Sequence, residues 1–379
     1  MTRKVRILYM VSRLGASGPT KQLYYILKHI DLHNFDPHLI CLSDSKSNPF
    51  KTKIEALDIK IENFKFSRLE ILYNIRKLVR HINIINPDII HTQGYRPDLI
   101  SANYMKKYTR LCTIRNYPWH DYPQKFGKLT GYSMAYSHVK ALRKMRTPVA
   151  CSTSIGEKMK SHLGEINAIQ NGIEIPEFTN SRYEHVRKMV RSNLSIPKNT
   201  KIFLSVGSLI ERKNPMFMLS CFHTFNYMYN EIPWVLIILG DGPLINEMKA
   251  YVKLNSMPVI FLGYKTEVED YFKASDYHVS FSLSEGLPNT VLEALVNHCP
   301  CILSNISPHR EIQEASTSTI QLFDIKKNPQ DIASEIKNHI VELKNVIEPK
   351  LFDKAKSHFS ADKMSKNYQE LYNLIVSKV

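Results

Sequence analysis

The sequence contains no uninterrupted run of 18 or more apolar residues, so none of its 379 residues is predicted to lie in a membrane-spanning helix. It also lacks low-complexity tracts, and its 43% hydrophobic and 23% charged residues are typical of a globular protein. The apolar run within Met1–Met10 is short and leads straight into a turn, which favours a first core strand over a signal peptide. A chain of this length can form two domains, each with its own core.

Cysteine is scarce, with six residues scattered along the chain and most of them within apolar runs. Cys299 and Cys301 are too close in sequence for an easy local disulfide, and no second pair completes a zinc site. Buried, reduced thiols are therefore expected, as in a protein of the cytoplasm.

Acidic residues are few in the first half of the chain. Residues 1–180 contain 28 Lys and Arg against 14 Asp and Glu, a net charge of +14, whereas the remainder supplies only +2 of the total +16. The excess is densest between Lys106 and Arg146, where ten basic residues accompany the single acid Asp121. Such a patch suits anionic lipid headgroups, a phosphorylated acceptor or nucleic acid. No recognised nucleic-acid-binding module accompanies it, so we expect no nucleic-acid partner.

Short apolar runs alternate with segments of helical period along the whole chain, which predicts parallel sheets covered by helices on both faces. Gly and Pro punctuate Asn171–Pro176, where we place a junction. The predicted fold is therefore α/β, with two doubly wound domains (1–176 and 177–358) facing a cleft and a helix at 359–379 packing back on the first. The predicted strands are Val5–Val11, Pro37–Leu42, Asp88–Thr92, Leu111–Ile114, Pro148–Cys151, Ile202–Val206, Trp234–Leu239, Val259–Leu262, Tyr277–Phe281 and Cys301–Ser304.

A turn and helix start follow the predicted strand Tyr277–Phe281. Gly286 lets the backbone approach a ligand, and Asn289 is a candidate N-cap. The N–H groups around Thr290 and Val291 would then lack intrahelical partners, which makes this helix terminus a site for a diphosphate.

Two carboxylates flank this turn, Glu285 at its mouth and Glu293 about one helical turn inside. From there they would bracket a bound nucleotide sugar, with Glu293 accepting hydrogen bonds from ribose hydroxyls. The residues alone leave an equal alternative, in which Glu285 is a surface loop residue and Glu293 a solvated helix residue.

The segment Glu285–Glu293 resembles the E-x7-E motif of retaining GT-B glycosyltransferases, in particular glycosyltransferase family 4 (glycosyl transferases group 1). Further stretches, which together span nearly the whole chain, agree with this family in order and spacing. They are Gly15–Thr20, similar to the N-terminal glycine loop; Ile169–Glu174, similar to the Asn-Gly-(Val/Ile)-(Asp/Glu) signature; Val206–Pro215, similar to the strand-end motif whose basic residues hold the donor diphosphate; and Leu239–Pro243, similar to the Gly-x-Gly-Pro turn.

The resemblance implies two Rossmann-like domains of a GT-B fold, with the donor bound mainly by the second. It implies that Glu293 binds the ribose, that Glu285 meets hydroxyls of the transferred sugar, and that Lys213 and Arg212 hold the phosphates. Lys213 would also stabilise charge on the departing nucleoside diphosphate. The other donor-binding residues that it implies are Gly18, Gly207, Ser208, Gly286, Leu287, Pro288, Asn289 and Thr290.

The first domain is expected to recognise the acceptor. Relatives often place a histidine near the reacting sugar, where this sequence has Arg115. Either Arg115 or the nearby His120 could replace that histidine, and His120 is therefore the third catalytic candidate beside Glu285 and Lys213. His91 and Arg96 are further acceptor-side candidates, with a core-satisfied histidine as the alternative for His91.

The segment Phe126–Arg146 mixes basic residues with Tyr132, Tyr136 and aliphatic side chains. This composition favours an amphipathic helix on an anionic membrane surface. A solvated helix packed on the domain is the alternative.

With the resemblance, which alone implies retention at the anomeric carbon, these observations predict a hexosyl- or N-acetylhexosaminyltransferase. It would move a sugar, with UDP-sugar as the expected donor, to a lipid-linked glycan of a bacterial O-antigen, capsule or exopolysaccharide. No Asp-x-Asp triplet is present, so neither a metal nor another cofactor is expected. The expected location is the cytoplasmic face of the inner membrane, and the oligomeric state is not predicted. The alternatives are a GT-B nucleotide-sugar epimerase and a basic polyanion-binding protein. A dinucleotide-dependent dehydrogenase is disfavoured because Gly15 and Gly18 do not complete Gly-x-Gly-x-x-Gly.

Overall fold

A computed structural model describes residues 3–44, 49–66, 70–177, 179–316, 319–342 and 349–377. The chain divides into two units: the first contains Met1–Glu174 and Phe359–Val379, and the second contains Ile175–His358. Each unit is built around one parallel sheet with helices between successive strands. The predicted α/β class with two doubly wound domains is confirmed.

The sheet of the first unit has seven strands within the described ranges, in the order β3-β2-β1-β4-β5-β6-β7. The strands are β1 (Val5–Val11), β2 (Phe35–Cys41), β3 (Lys60–Asn63), β4 (Ile89–Gln93), β5 (Thr109–Ile114), β6 (Thr147–Ala150) and β7 (Asn167–Ala168). The helices are α1 (Gly18–Lys28), α2 (Pro49–Glu55), α3 (Glu70–Ile85), α4 (Tyr95–Tyr104), α5 (Pro118–Phe126), α6 (Lys128–Leu142) and α7 (Thr153–Leu163).

The sheet of the second unit has six strands among the residues described, in the order β10-β9-β8-β11-β12-β13. The strands are β8 (Lys201–Val206), β9 (Trp234–Leu239), β10 (Val259–Gly263), β11 (Tyr277–Ser280), β12 (Cys301–Ser304) and β13 (Ile320–Phe323). The helices are α8 (Asn180–Asn193), α9 (Pro215–Met228), α10 (Ile245–Leu254), α11 (Glu269–Ala274), α12 (Asn289–Val296), α13 (Ser307–Glu314), α14 (Pro329–Glu342) and α15 (Asp353–His358).

All ten predicted strands are present, three of them with the predicted bounds and the others with ends shifted by at most two residues. Three strands were missed, and all three lie at sheet edges: β3, β7 and β13. The two in the first unit are half-exposed or exposed, so their residues form no continuous apolar run that would reveal them. Thus the strands that form continuous apolar runs follow from the pattern, including β10 at an edge of the second sheet, whereas the other three edge strands do not.

A terminal helix, α16 (Ala361–Val376), belongs to the first unit although it follows the second in sequence. The Tyr372 hydroxyl lies 3.1 Å from the Tyr9 hydroxyl in the centre of the first sheet. A Cβ added to Gly172 would lie 2.7 Å from the Ala361 Cα, so only glycine lets the start of this helix approach so closely. The helix therefore forms part of the first unit's core.

Candidate functional site

The two central strands of the second unit, β8 and β11, are hydrogen-bonded neighbours. The chain leaves β8 towards β9 on one side of the sheet and leaves β11 towards β12 on the other. Where two neighbouring strands connect in opposite directions, the loops at their carboxyl ends diverge and leave a crevice. This position is called the switch point of a doubly wound sheet, and it is where ligands of such sheets bind. The motif Val206–Pro215 follows β8 and the motif Ser284–Leu295 follows β11, so the topology brings both to this point.

Glu285 is the centre of this region. One carboxylate oxygen lies 2.7 Å from Arg212 Nη1, and the other lies 2.6 Å from Lys213 Nζ. The side chain is only 7% exposed. Burial alone would raise the pKa of this carboxyl group, but the charges of Lys213 and Arg212 outweigh burial and lower its pKa to about 2. The acid is therefore buried and ionised.

Arg212 also joins the two loops through its backbone. Its guanidinium donates to the Ser284 carbonyl oxygen, and its own carbonyl oxygen accepts from the Leu283 N–H at 2.9 Å. Residues Glu211–Lys213 form a single 3-10 turn that ends at Asn214, whose φ of 53° is left-handed. Pro215 then begins α9, so the two cations are held on a short, tightly turned segment.

Glycines allow the loops after β8 and β9 to pack together. A Cβ added to Gly240 would lie 1.8 Å from the Gly207 carbonyl oxygen, and one added to Gly242 would lie 2.4 Å from the Leu209 carbonyl oxygen. Gly207 in turn leaves room for Lys213, whose Cε would lie 3.5 Å from an added Cβ. Ser208 next to it is exposed. These glycines thus shape the loop that carries the cations.

The start of α12 differs from the prediction in one respect. Asn289 is the first helical residue, and the N-cap is Pro288, with φ −73° and ψ 114°. The ring of Pro288 holds φ near this value, and its carbonyl oxygen accepts from the Val291 N–H at 3.2 Å. The predicted N-cap at Asn289 and the predicted free N–H of Val291 are therefore wrong.

The rest of this turn lies where the prediction put it, directly after β11. Gly286, Leu287 and Pro288 are buried, whereas Asn289 and Thr290 at the helix start are half-exposed. Glu293 follows one turn later and is only 9% exposed. Neither acid of the motif is thus a freely solvated residue.

Two buried histidines behind Glu285 were not predicted. Nδ1 of His278, on β11, lies 2.9 Å from the Leu204 carbonyl oxygen. Nδ1 of His309, on α13, lies 2.7 Å from the Ser304 carbonyl oxygen. Burial lowers the pKa of His278 to about 3 and that of His309 to about 4, so both rings are neutral. The charge of Lys213 acts on both rings and that of Glu285 on His309, and no sequence motif indicated either histidine.

In the first unit, His91 is not available as an acceptor-side residue. The ring is fully buried, with Nδ1 2.7 Å from the Tyr372 hydroxyl and Nε2 2.8 Å from Thr113 Oγ1. Burial, with a further contribution from Arg115, lowers its pKa to about 3. The candidacy of His91 is therefore wrong, because its nitrogens are used to join β4, β5 and α16.

Arg115 and Arg96 lie at the carboxyl edge of the first sheet. Arg115 donates to the side-chain oxygens of Asn171, at 2.7 Å, and Gln93, at 2.9 Å, which fixes its guanidinium after β5. Arg96 follows β4 and donates to Ser43 Oγ at 2.9 Å. Both are half-buried cations, in keeping with sites that could meet an acidic or hydroxylated ligand.

His120 and Gly18 occupy helix starts in the same unit. His120 is exposed in the first turn of α5, with its ring 5.0 Å from that of Tyr117. Partial burial and the charge of Lys158 lower its pKa. Gly18, within the segment Gly15–Thr20 that resembles the glycine loop, is the first residue of α1.

The predicted amphipathic stretch Phe126–Arg146 is not a single helix. Gly127, with φ 80°, separates α5 from α6. Val139 and Leu142, which the prediction placed with the membrane-facing residues, are buried in the first unit. Tyr132 and Tyr136, in contrast, are 50% and 62% exposed.

Across the described ranges, no cluster of three or more His, Cys, Asp or Glu side chains could hold a metal ion. None of the helices described is long and apolar enough to cross a bilayer. All six cysteines are buried, and none of them forms a disulfide.

Two family models match the chain, each over about two-fifths of its length. Residues 16–176 match the model described as Glycosyltransferase Family 4, and residues 186–343 match that of Glycosyl transferases group 1. Together with the relatives below, these matches identify the chain as a GT-B glycosyltransferase.

The relatives include glycosyltransferases of Escherichia coli and Staphylococcus aureus. The O-antigen biosynthesis glycosyltransferase WclY of Escherichia coli is 25% identical and covers 99% of this chain and 100% of its own length. The capsular polysaccharide biosynthesis glycosyltransferase CapH of Staphylococcus aureus is 23% identical over 90% of this chain and 92% of its own. A UDP-Gal:alpha-D-GlcNAc-diphosphoundecaprenol alpha-1,3-galactosyltransferase of E. coli is 32% identical, but that match spans only 38% of this chain and 37% of the relative.

Solved glycosyltransferase structures share the fold. A glycosyltransferase of Rickettsia africae matches with a TM-score of 0.77 and 17% identity over 100% of both chains. HepE of Anabaena in complex with UDP and glucose matches with a TM-score of 0.77 and 17% identity, over 97% of this chain and 99% of its own. At these identities the likeness establishes the GT-B fold and nothing finer.

Proposed function

We propose that this protein is a retaining family 4 glycosyltransferase that transfers a sugar from a UDP-sugar to a lipid-linked glycan during synthesis of a cell-surface polysaccharide. The observation that carries the proposal is the buried carboxylate of Glu285 between Arg212 and Lys213 at the switch point of the second sheet. An acid beside two cations can bind both halves of a nucleotide sugar, the hydroxyls of the sugar and the oxygens of the diphosphate.

The basicity of Glu285 limits its role. In the donor-free site the carboxylate, with a pKa of about 2, is ionised and weakly basic, and we propose it as a hydrogen-bond acceptor for sugar hydroxyls. In the proposed reaction the bond from the anomeric carbon to the diphosphate oxygen breaks, and a bond to the acceptor oxygen forms on the same face. The acceptor proton passes to the departing phosphate oxygen, and Lys213 stabilises the negative charge that develops there.

Donor binding at this site requires a change of partners. Without donor, the carboxylate of Glu285 is paired with both cations and offsets one of their two positive charges. A diphosphate is itself an anion and competes for the same cations, and the sugar hydroxyls then become partners of Glu285. We therefore propose that the donor replaces an internal ion pair, with Glu293 binding the ribose and the half-exposed start of α12 facing the phosphates.

The choice of UDP and of the acceptor is supported by relatives. HepE of Anabaena was crystallised with UDP and UDP-glucose, and the name of the partial E. coli relative gives UDP-Gal as donor and a diphosphoundecaprenol as acceptor. WclY and CapH carry O-antigen and capsule biosynthesis in their names. For this chain we propose a hexosyl or N-acetylhexosaminyl donor, an acceptor contacted by Arg96, Arg115 or His120, and work at the cytoplasmic face of the membrane.

We propose that the donor site needs no metal, because Arg212 and Lys213 supply the positive charge that a divalent cation supplies elsewhere. Transfer in the presence of EDTA should then equal transfer with added Mg²⁺ or Mn²⁺. A loss of activity on chelation that Mg²⁺ restores would contradict this part of the proposal.

The experiment that tests the function combines binding and turnover. A thermal-shift series with UDP, GDP and their sugars should show stabilisation by UDP and by one UDP-sugar. Release of UDP from that sugar should then depend on a membrane extract that contains the acceptor. Release without acceptor, or isomerisation of the donor, would favour the epimerase instead. Stabilisation by none of these nucleotides would overturn the proposal.

A further inference from the structure

The α5–α6 hairpin of the first unit, residues 118–142, has a rigid tip. Helix α5 ends at Phe126, Gly127 turns the chain, and α6 begins at Lys128. A Cβ added to Gly131 would lie 2.4 Å from the Pro123 Cα, so the backbones of the two helices are in direct contact. The tip is therefore held by backbone packing between the two helices.

The root of the hairpin is fixed to the body of the first unit by a buried polar group. His138 on α6 lies with Nε2 2.8 Å from the Asp98 carboxylate on α4 and with Nδ1 2.7 Å from the Tyr122 hydroxyl on α5. Asp98 also accepts from Thr92 Oγ1 on β4. One ring thus joins three helices, and the buried face of α6 is set by these contacts.

The opposite face of α6 is apolar and solvent-exposed. Leu129 is 89% exposed, Tyr132 50% and Tyr136 62%, and their spacing of three and four residues puts them on one side of the helix. Phe126 at the end of α5 is 38% exposed and extends this surface to the tip. We call Phe126, Leu129, Tyr132 and Tyr136 the hairpin surface.

Cations surround the hairpin surface. Lys125 and Lys128 flank the turn and are exposed, and exposed Lys140 lies four residues after Tyr136 on the same side of α6. Asp121 is the single acid in residues 106–146. A leucine and three aromatic rings among lysines fit the headgroup region of a bilayer, where rings and leucine enter the acyl boundary and lysines meet lipid phosphates.

We propose that the hairpin surface is the element by which this protein docks on an anionic lipid bilayer, with Phe126 and Leu129 entering the interface first. This deepens the proposed function, because a lipid-linked acceptor lies in such a bilayer. It also changes the sequence-based prediction: the docking element is the exposed side of a hairpin, and the buried Val139 and Leu142 take no part in it.

Helix α10 of the second unit offers a matched control. Leu254 is 84% exposed, close to the value of Leu129, and Lys249 and Lys253 on the same helix are exposed. Tyr227 on α9 is 85% exposed and matches the tyrosines. Equal substitutions in the two units therefore remove the same chemistry from different surfaces.

The test is sedimentation of the full chain with vesicles of phosphatidylcholine alone and of phosphatidylcholine mixed with phosphatidylglycerol. We expect the wild type to bind the mixed vesicles only. The Lys125→Gln/Lys128→Gln variant should bind about 30-fold more weakly, because each lysine near an anionic surface contributes attraction of similar size. The Leu129→Ser/Tyr136→Ser variant should lose at least about tenfold.

The control variants, Lys249→Gln/Lys253→Gln and Tyr227→Ser/Leu254→Ser, should bind as the wild type does. Equal losses in the control and hairpin variants, unchanged binding by the hairpin variants, or no binding by the wild type would each overturn the docking proposal. So would lysine-dependent retention on heparin without any vesicle binding, which would assign the cations to a soluble polyanion. The UDP-induced thermal shift, recorded on every variant, separates these failures from failure of the proposed function, which would remove the shift from the wild type itself.

Discussion

The carboxyl edges of the two sheets use charge in opposite ways. In the second unit, the cations Arg212 and Lys213 are paired with a buried acid, and the residues after 180 carry almost no net charge. In the first unit, Arg115 is held by the neutral side chains of Gln93 and Asn171, and the +14 excess stays uncompensated. A paired site must exchange partners to bind an anion, whereas an unpaired basic surface attracts anions from a distance. The same kind of sheet thus supports a specific site in one unit and a broad electrostatic surface in the other.

The largest expected effect is loss of transfer in the Glu285→Gln variant, which keeps the shape of the side chain but removes its charge. We expect the turnover of the UDP-sugar to fall at least about 100-fold, because the sugar loses a charged hydrogen-bond acceptor. Glu211→Gln is the matched control, since Glu211 lies exposed on the same 3-10 turn. Wild-type turnover by Glu285→Gln would contradict this contrast between the two units, because the ion-paired carboxylate would then not be needed for transfer.

Acid should destabilise the second unit through the same residue. The pKa of Glu285 is about 2 in the folded chain and near 4.5 when unfolded, so its contribution is complete above pH 4.5 and disappears as the pH falls towards 2. The shift corresponds to a free energy of unfolding on the order of 3 kcal/mol. The stability difference between wild type and Glu285→Gln should therefore shrink between pH 5 and 2, as followed by urea unfolding. A constant difference over this range would contradict the pKa.

Gly240→Ala should distort the loop that carries the cations. The new methyl group would lie 1.8 Å from the Gly207 carbonyl oxygen, and we expect a loss of about 2–3 kcal/mol. Gly263→Ala in the same unit, with φ 68° and open space around the added Cβ, should lose only about 1 kcal/mol. The chain has two tryptophans, so in a Trp119→Phe background the fluorescence of Trp234 reports the second unit alone. Equal losses would show that the close approach is relieved at no cost.

A smaller effect is expected in the first unit from Tyr372→Phe. The substitution removes the hydroxyl that lies 2.7 Å from His91 Nδ1 and 3.1 Å from the Tyr9 hydroxyl, and leaves both buried groups without it. We expect a loss of about 1–2 kcal/mol in unfolding followed by Trp119 fluorescence in a Trp234→Phe background. The KM for donor should stay unchanged, since the donor is proposed to bind the second unit. A raised KM for donor with unchanged stability would instead indicate that the hydrogen bonds of His91 contribute to donor binding.

The smallest expected effect is a gain in UDP affinity, in contrast to the losses of activity and stability predicted above. Glu285→Gln frees Arg212 and Lys213 from their internal partner, so UDP, which has no sugar to lose contacts with, should bind about fivefold more tightly than to the wild type. Isothermal titration of both proteins with UDP measures this. Tighter UDP binding together with lost transfer would support replacement of the Glu285 ion pair by the diphosphate, because a variant with a damaged site would bind UDP more weakly. Weaker UDP binding would contradict this replacement.

The sequence indicates those features that depend on short-range pattern. Buried strands appear as apolar runs, and the order of Glu285, Arg212 and Lys213 along a doubly wound chain brings them to one switch point. What it does not indicate depends on distant partners or on exposure. His91 resembles a strand-end ligand until Tyr372, 281 residues later, supplies its hydrogen bond. Pro288 replaces Asn289 as N-cap because of backbone geometry that residue preference alone does not determine.

Helix α16 has a consequence for how the chain is made. Its tyrosines complete the core of the first unit, yet the ribosome reaches them only after the whole of the second unit has been synthesised. The second unit can acquire its final contacts while the first still has an open hydrophobic groove beside β1 and β4. During synthesis the earlier unit is therefore the later one to mature, and for that interval it exposes apolar surface that a chaperone would recognise.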